Sequence, residues 1–139
     1  MKRIIKGQVY DTTTAQLIAA VELRDVYQAL YLKRSNEFFV YSEKNGEKFI
    51  NPLTYFEADE WARMFLSETA YNSFFGEIPE DDKRITASIS IRSDTYQKLQ
   101  RLSAACSMSA SVCIEKMIVG AYDELRGKNN EETNLYTGD

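Results

Sequence analysis

Apolar and polar residues alternate strictly from residue 84 to residue 91, which is the period of a β-strand with two unlike faces. A single strand leaves its backbone N–H and C=O groups without partners, and the neighbouring sequence offers no second strand. The stretch therefore predicts a strand that must find its partner elsewhere. Its apolar side carries Ile85, Ala87, Ile89 and Ile91, and its polar side carries Thr86, Ser88 and Ser90.

Two amphipathic helices are predicted after this strand, separated by a polar joint at residues 107–109. Ser93 is expected to cap the first helix and Ser109 the second, because a serine side chain accepts a hydrogen bond from a free N–H group of the first turn. Apolar residues recur at helical spacing in both. They are Tyr96, Leu99, Leu102 and Cys106 in the first helix, and Val112, Cys113, Met117, Ile118, Ala121 and Tyr122 in the second.

The strand and both helices span only residues 83–126, a length too short to bury the apolar faces that they carry. We therefore expect a homodimer in which two copies of the strand pair antiparallel and four helices pack beneath them. Folding and dimerisation would then be one event. The expected interface residues are Ile85, Ala87, Ile89, Ile91, Ile114 and Ile118.

The pair Lys83-Arg84, the alternating strand, Ser93 and the joint "SMSAS" together resemble the ribbon-helix-helix family, which includes small plasmid copy-control repressors. The resemblance covers residues 83–125. It implies that the paired strands enter the major groove of DNA, with basic residues and the start of the second helix on phosphates. The DNA-contacting residues implied in this way are Lys83, Arg84, Thr86, Ser88, Ser90, Arg92, Ser109 and Ser111.

The chain departs from that family at two points. The reading face carries only short hydroxyl side chains where family members carry longer ones, and Ser107 stands where the joint often has glycine. A dimerisation module without affinity for DNA therefore remains the alternative interpretation of this segment.

Residues 1–78 predict a small α+β unit, a meander of strands covered by helices. A hairpin is expected to turn near Gly7, and a short helical turn is expected after Asp11. One strand is expected before residues 34–36 and one after them, and a third strand is expected after the turn Asn45-Gly46.

The third strand is expected to end at Pro52. A helical region should then begin with a capping box of Thr54 and Glu57 and close at Gly76. Beyond it, residues 79–82 are predicted to form a linker, and residues 127–139 to form a flexible tail.

Several short motifs in this unit resemble an N-terminal domain of proteins from phages, plasmids and integrative elements of Gram-positive bacteria, some of which are anti-CRISPR proteins. The resemblance covers residues 1–78. The motifs are Tyr10-Asp11-Thr12, Phe38-Phe39-Val40-Tyr41, Pro52-Leu53-Thr54, Glu57-Ala58, Trp61-Ala62, Tyr71 and Phe75-Gly76.

This second resemblance implies a mobile-element protein that inhibits a host CRISPR-Cas effector by occupying one of its binding surfaces. An acidic patch that mimics phosphates and the tip of the Asn45-Gly46 hairpin are the candidate contacts, and an ordinary solvated acidic face is the alternative. The alternative functions are a ribbon-helix-helix repressor or antitoxin-like regulator, and a dimeric adaptor. The candidate contact residues are Glu43, Asn45, Glu47, Glu57, Asp59 and Glu60.

The charge is unevenly distributed along the 139 residues, whose formal net charge is −4. Residues 1–80 carry nine Lys/Arg against twelve Asp/Glu, and residues 83–126 carry seven against four. This asymmetry favours different partners for the two halves. Besides itself, the chain is expected to bind operator DNA and a CRISPR-Cas effector.

The sequence lacks histidine, the commonest general base and metal ligand. Its two cysteines, Cys106 and Cys113, form no metal-binding pattern and are expected to be buried on neighbouring helices. We therefore expect a non-enzymatic protein without cofactor or metal. No signal peptide or membrane span is apparent, so a cytoplasmic location in a bacterial host cell is expected.

Overall fold

The computed structural model describes the backbone of residues 1–137 and the side chains of residues 1–127. Over that part of the chain it contains six β-strands and four α-helices, which confirms the predicted α+β class. The chain divides into two compact units, Met1–Glu80 and Asp81–Asp139.

The first unit opens with a hairpin of β1 (Lys2–Ile5) and β2 (Gln8–Asp11), as predicted. Lys6 and Gly7 between them have φ angles of 50° and 77°. Two consecutive positive φ angles are the signature of a type I′ turn, whose twist matches that of the flanking strands.

A four-stranded antiparallel sheet follows, with its strands in chain order. The strands are β3 (Gln16–Leu23), β4 (Val26–Leu32), β5 (Phe38–Lys44) and β6 (Glu47–Leu53). The turns predicted at residues 34–36 and at Asn45-Gly46 are confirmed, since they join β4 to β5 and β5 to β6.

The short helical turn predicted after Asp11 is confirmed, but it lasts only one turn: the amides of Thr14 and Ala15 donate to the Asp11 carbonyl at 3.3 Å and 3.1 Å. The Asp11 carboxylate accepts hydrogen bonds from the Thr13 amide at 2.9 Å and the Thr13 hydroxyl at 2.7 Å, and these bonds hold a tight turn. The chain then enters β3, which pairs along its length with β4. The same hydrogen bonds from Thr13 hold the pKa of Asp11 below its ordinary value.

β6 does not end at Pro52 as predicted. Pro52 lies inside the strand opposite Phe39, and the strand continues to Leu53. β6 is an edge strand of the sheet, where a residue without an N–H group is tolerated.

Two helices complete the first unit, α1 (Tyr55–Phe65) and α2 (Glu68–Phe75). The predicted capping box is confirmed, because the Thr54 hydroxyl accepts from the Glu57 amide while the Glu57 carboxylate accepts from the Thr54 amide. Leu66 adopts an extended conformation between the helices, and Ser67 caps α2. Gly76 ends α2 as predicted.

The sheet of the first unit has a packed core on each face. Phe38 and Val40 of β5 point toward the helices and contact Trp61, whereas Phe39 points the opposite way and packs on Tyr10 of the hairpin. Adjacent strand residues face opposite sides, so an apolar run such as residues 38–40 fills both cores. The unit is therefore a sheet between a helical layer and a hairpin.

The second unit consists of a stretch without regular secondary structure and two helices, α3 (Ser93–Ala105) and α4 (Ala110–Thr137), so the strand predicted from residue 84 to residue 91 is not formed in the single chain. Residues 77–92 belong to no helix or strand, and the predicted linker at 79–82 lies among them. The direction of the chain changes by 99° between α3 and the first part of α4. Leu99 and Cys113 are the buried side chains among the described residues of these helices.

The predicted cap at Ser93 is wrong, because Arg92 takes the N-cap position without a side-chain cap bond and Ser93 is the first helical residue. The cap at Ser109 is confirmed, since its hydroxyl accepts from the Val112 amide at 3.2 Å. Cys106, which was expected to be buried, is exposed at the end of α3.

α4 continues past residue 126, where the sequence predicted a tail. Its backbone is helical as far as Thr137, because polar residues alone do not end a helix and no proline interrupts it. The side chains of residues 128–137 and the whole of residues 138–139 lie outside the described part of the chain.

Candidate functional site

The extended stretch before α3 is the most unusual feature of the described chain. Residues 84–91 alternate as a strand does, yet they form no backbone–backbone hydrogen bond within the part that the structure describes. Backbone groups left in this state are costly unless water or another chain satisfies them.

The apolar side of this stretch is exposed in the single chain. The solvent-exposed fraction is 82% for Ile85, 76% for Ile89 and 49% for Ile91. Burying one isoleucine side chain contributes about 1.5 to 3 kcal/mol relative to leaving it in water. The three isoleucines therefore form an exposed apolar surface, and burying it against another chain would be favourable.

The two helices add to this exposed apolar surface. Ile118, one of the expected interface residues, is 58% exposed, whereas Ile114 is partly buried. Leu99 of α3 and Cys113 of α4 are buried, whereas other apolar side chains of both helices are exposed. The other large apolar side chains exposed on these helices are Tyr96, Leu102, Val112, Met117 and Val119.

Thr86, Ser88 and Ser90 are exposed, as is every other residue of the stretch. Lys83 and Ser111 are also exposed. All five can reach a partner molecule without rearrangement of a core.

Three of the predicted DNA-contacting side chains already have partners in the chain. Arg84 donates a hydrogen bond to Glu115 of α4, and Arg92 donates one to Asp94 of α3 at 3.0 Å. Ser109 uses its hydroxyl to cap α4. Sequence reasoning missed both ion pairs. Arg84 and Glu115 are 31 positions apart, but Arg92 and Asp94 are only two apart, so the second pair could have been found from the sequence.

In the first unit, the predicted contact residues do not form one patch. Glu43 and Asn45 line an open groove of about 340 Å³ at the tips of two hairpins, and Asn45 sits in the turn with a φ of 53°. Glu47 is exposed beside them in the same hairpin, Glu60 is exposed on α1, and the Glu57 carboxylate is engaged in its capping box.

Asp59 is the exception among the predicted contacts, because it is buried and 2% exposed. Its carboxylate accepts hydrogen bonds from Arg63 Nε at 3.1 Å and from the Tyr71 hydroxyl. It therefore joins α1 to α2 and has no free surface to offer a partner. Burial, followed by the hydrogen bond to Asp59, raises the pKa of Tyr71 to about 12.

The groove also contains acidic residues that sequence reasoning missed. Glu22 at the end of β3 and Asp25 in the turn before β4 line it beside Tyr27, together with the basic residues Arg24 and Lys48. Recognising β3 as a strand would have found them. The Tyr41 hydroxyl donates to Glu43 next to the groove, and burial, followed by this bond, raises the pKa of Tyr41 to about 12.

Among the described residues, no group of three or more His, Cys, Asp or Glu side chains is placed to hold a metal ion. No single described helix is long and apolar enough to cross a membrane, and only the bent pair of α3 and the first part of α4 reaches that length and composition.

Comparison with protein-family models, with curated proteins and with solved structures finds no match for this chain.

Proposed function

We propose that the second unit completes its fold as a ribbon-helix-helix homodimer. The observation that carries this proposal is the unpaired alternating stretch, residues 84–91, with its exposed isoleucines. A second copy of the same stretch, running antiparallel, supplies a partner for its backbone groups. The exposed apolar faces of α3 and α4 then pack beneath the ribbon, with Ile114 and Ile118 in the interface.

The ribbon in such a dimer binds DNA. Its outer side carries Thr86, Ser88 and Ser90, whose hydroxyls donate and accept hydrogen bonds and can reach base edges in the major groove. Lys83, Arg84 and Arg92 flank the ribbon and neutralise phosphates, and Ser111 lies at the start of α4. The protein then acts as a regulator of transcription, including that of its own promoter.

The DNA-binding proposal is tested without knowledge of the operator. Duplexes are enriched from a random-sequence library with the full-length chain, and the enriched duplex is titrated at several salt concentrations. We expect enrichment of a palindromic sequence and an affinity that falls steeply as salt rises, because phosphate contacts release counterions. Enrichment of no sequence, together with salt-independent association, would refute it.

A double variant of Arg84 and Ser88 tests whether the ribbon is the DNA-binding surface. Replacing Arg84 and Ser88 by alanine should abolish the shift of the enriched duplex while light scattering still reports a dimer. Replacing Arg34 and Ser35, an exposed pair of the same residue types in the first unit, is the matched control and should leave binding unchanged. Normal binding by the Arg84/Ser88 variant would show that the ribbon is not the DNA-binding element.

A second function is proposed for the first unit, which buries its own cores independently of residues 81–139. Three carboxylates, Glu22, Asp25 and Glu43, border its groove and outnumber the two cations there, Arg24 and Lys48, of which Lys48 lies 4.0 Å from Glu43. Together with the resemblance of residues 1–78, this groove supports a mobile-element anti-CRISPR protein. In that role the unit covers a basic, nucleic-acid-binding surface of a host CRISPR-Cas effector without performing chemistry.

Inhibition is tested by adding the full-length chain to a panel of reconstituted CRISPR nucleases. We expect one effector to lose target cleavage, and Glu43→Gln to weaken that inhibition because it removes a charge but keeps the shape. Glu60→Gln removes an equally exposed type of charge from α1, away from the groove, and should inhibit as the wild type does. If every effector keeps full activity, the anti-CRISPR proposal is wrong, and the protein is better explained as a transcriptional regulator alone.

A further inference from the structure

Both arginines that flank the alternating stretch are held by carboxylates from the helices that follow it. Arg84 pairs with Glu115 of α4, and Arg92 pairs with Asp94 of α3. The side chains of Glu115 and Asp94 are 52% and 53% exposed, so neither pair is sealed from solvent or from an approaching anion. Two separate helices thus supply one carboxylate to each end of the stretch.

We propose that Glu115 and Asp94 are affinity-setting residues that compete with DNA phosphate for Arg84 and Arg92. This inference rests on the DNA-binding function proposed above. A guanidinium group offers the same fork of N–H donors to a carboxylate and to a phosphate. A phosphate must therefore displace the carboxylate or bind beside its negative charge, and either outcome weakens the contact.

The competition acts on the part of binding that carries no sequence information. Phosphate contacts position a protein on any duplex, whereas base contacts distinguish sequences. The ribbon's outer side chains are short, so phosphate contacts would supply most of its affinity for DNA. Carboxylates that restrain these contacts keep the protein from being held on unrelated DNA.

The inference also predicts how binding responds to salt. Salt screens an exposed ion pair and so weakens the competition as its concentration rises. Removing a carboxylate should therefore tighten binding most at low salt and least at high salt. The variant's plot of log affinity against log salt should be steeper than that of the wild type.

The test is a fluorescence titration of a mixed-sequence duplex and of the enriched duplex with the full-length chain. Glu115→Gln and Asp94→Asn should each tighten binding at low salt by about twofold to fivefold, the range expected for an exposed pair. Asp123→Asn is the matched control, since it removes the same charge from an exposed position of α4. It should change affinity less than either test variant, and light scattering should report the same mass for all.

Each possible result either supports or overturns the proposed competition between these carboxylates and DNA phosphate. Tighter binding by Glu115→Gln than by Asp123→Asn, with a gain that shrinks as salt rises, supports it. Weaker binding by Glu115→Gln would mean that Glu115 positions Arg84 for DNA, and equal binding by the two variants would mean that only net charge matters; both overturn it. Failure of the wild type and all variants to bind any duplex would instead refute the DNA-binding proposal, and the inference with it.

Discussion

Ser107 shows how much a single residue decides in the joint between α3 and α4. Its φ angle is 53°, a left-handed conformation that favours glycine. The Met108 amide bonds to the Ser103 carbonyl at 3.1 Å, and the Ser107 amide bonds to the Ala104 carbonyl at 3.2 Å. These two bonds form a Schellman motif, which ends α3 despite the missing glycine.

The strained serine gives a prediction of stability. Ser107→Gly should stabilise the second unit by about 0.5 to 1 kcal/mol, because glycine adopts a positive φ angle without a Cβ clash. Ser111→Gly, inside the first turn of α4, should instead destabilise it by about 0.5 kcal/mol through lost helix propensity. Urea unfolding of both variants at one protein concentration measures these changes, and a destabilised Ser107→Gly would contradict the account.

The ionisation of Tyr71 makes the stability of the first unit depend on pH in the alkaline range. Its pKa is raised to about 12 from the ordinary value of 10.0, chiefly by burial and then by its bond to Asp59. A group whose pKa is higher in the folded state stabilises the fold fully below the unfolded value and loses that contribution as pH rises through the folded value. The stability that Tyr71 contributes should therefore disappear between pH 10 and pH 12.

Tyr71→Phe tests this pH dependence, since phenylalanine keeps the ring and loses the ionisable hydroxyl. The variant should be less stable at neutral pH, because Asp59 loses a hydrogen-bond donor, but its free energy of unfolding should fall less between pH 10 and pH 12. Tyr41, whose pKa is also raised to about 12, should account for part of the remaining slope. An unchanged slope in Tyr71→Phe would show that its hydroxyl does not titrate in this range.

At the scale of elements, the sequence predicted best what short-range chemistry decides. Gly7, the Asn45-Gly46 turn and the Thr54 cap each act within four residues, and each was located correctly. β3 was missed because its residues are apolar on both faces and follow residues typical of a helix cap. Only its pairing with β4 makes it a strand, and pairing is not local information.

In the candidate site too, features set by the local sequence were predictable and features set by tertiary contacts were not. The alternation of residues 84–91 predicts two unlike sides, which depends only on the period of an extended chain, and this assignment stays a prediction because every residue of the stretch is exposed in the single chain. The ion pair of Arg84 with Glu115 and the burial of Asp59 were not predictable, because each depends on a helix brought near by folding, whereas the pair of Arg92 with Asp94 is local.

One pair of substitutions tests which side of residues 84–91 lies in the dimer interface and which faces outward. Ile89→Asp places a charge in the proposed interface and should give an unfolded or monomeric second unit, because burying an unpaired carboxylate is prohibitive. Ser90→Asp adds the same charge one residue away, on the outer side, and should remain a dimer while binding DNA more weakly. Sedimentation equilibrium separates the cases, and a folded, dimeric Ile89→Asp would contradict the assignment of the faces.

At the scale of the whole molecule, the two units differ in how they complete their folds. The first buries Phe39, Phe75 and Leu30 within itself. The second buries only Leu99 and Cys113 among its described side chains and leaves three isoleucines exposed. Its stability should therefore depend on protein concentration, whereas that of the first unit should not.

Amide hydrogen exchange across residues 84–91, measured at a series of protein concentrations, tests the proposed dimer most directly. In an antiparallel two-stranded ribbon every second amide bonds to the other strand, so alternate amides should exchange slowly in the concentrated protein and rapidly after dilution. Amides of β5 should stay protected throughout and serve as the internal reference. Rapid exchange of all amides in residues 84–91 at high concentration, or protection that survives in a monomer, would contradict the account.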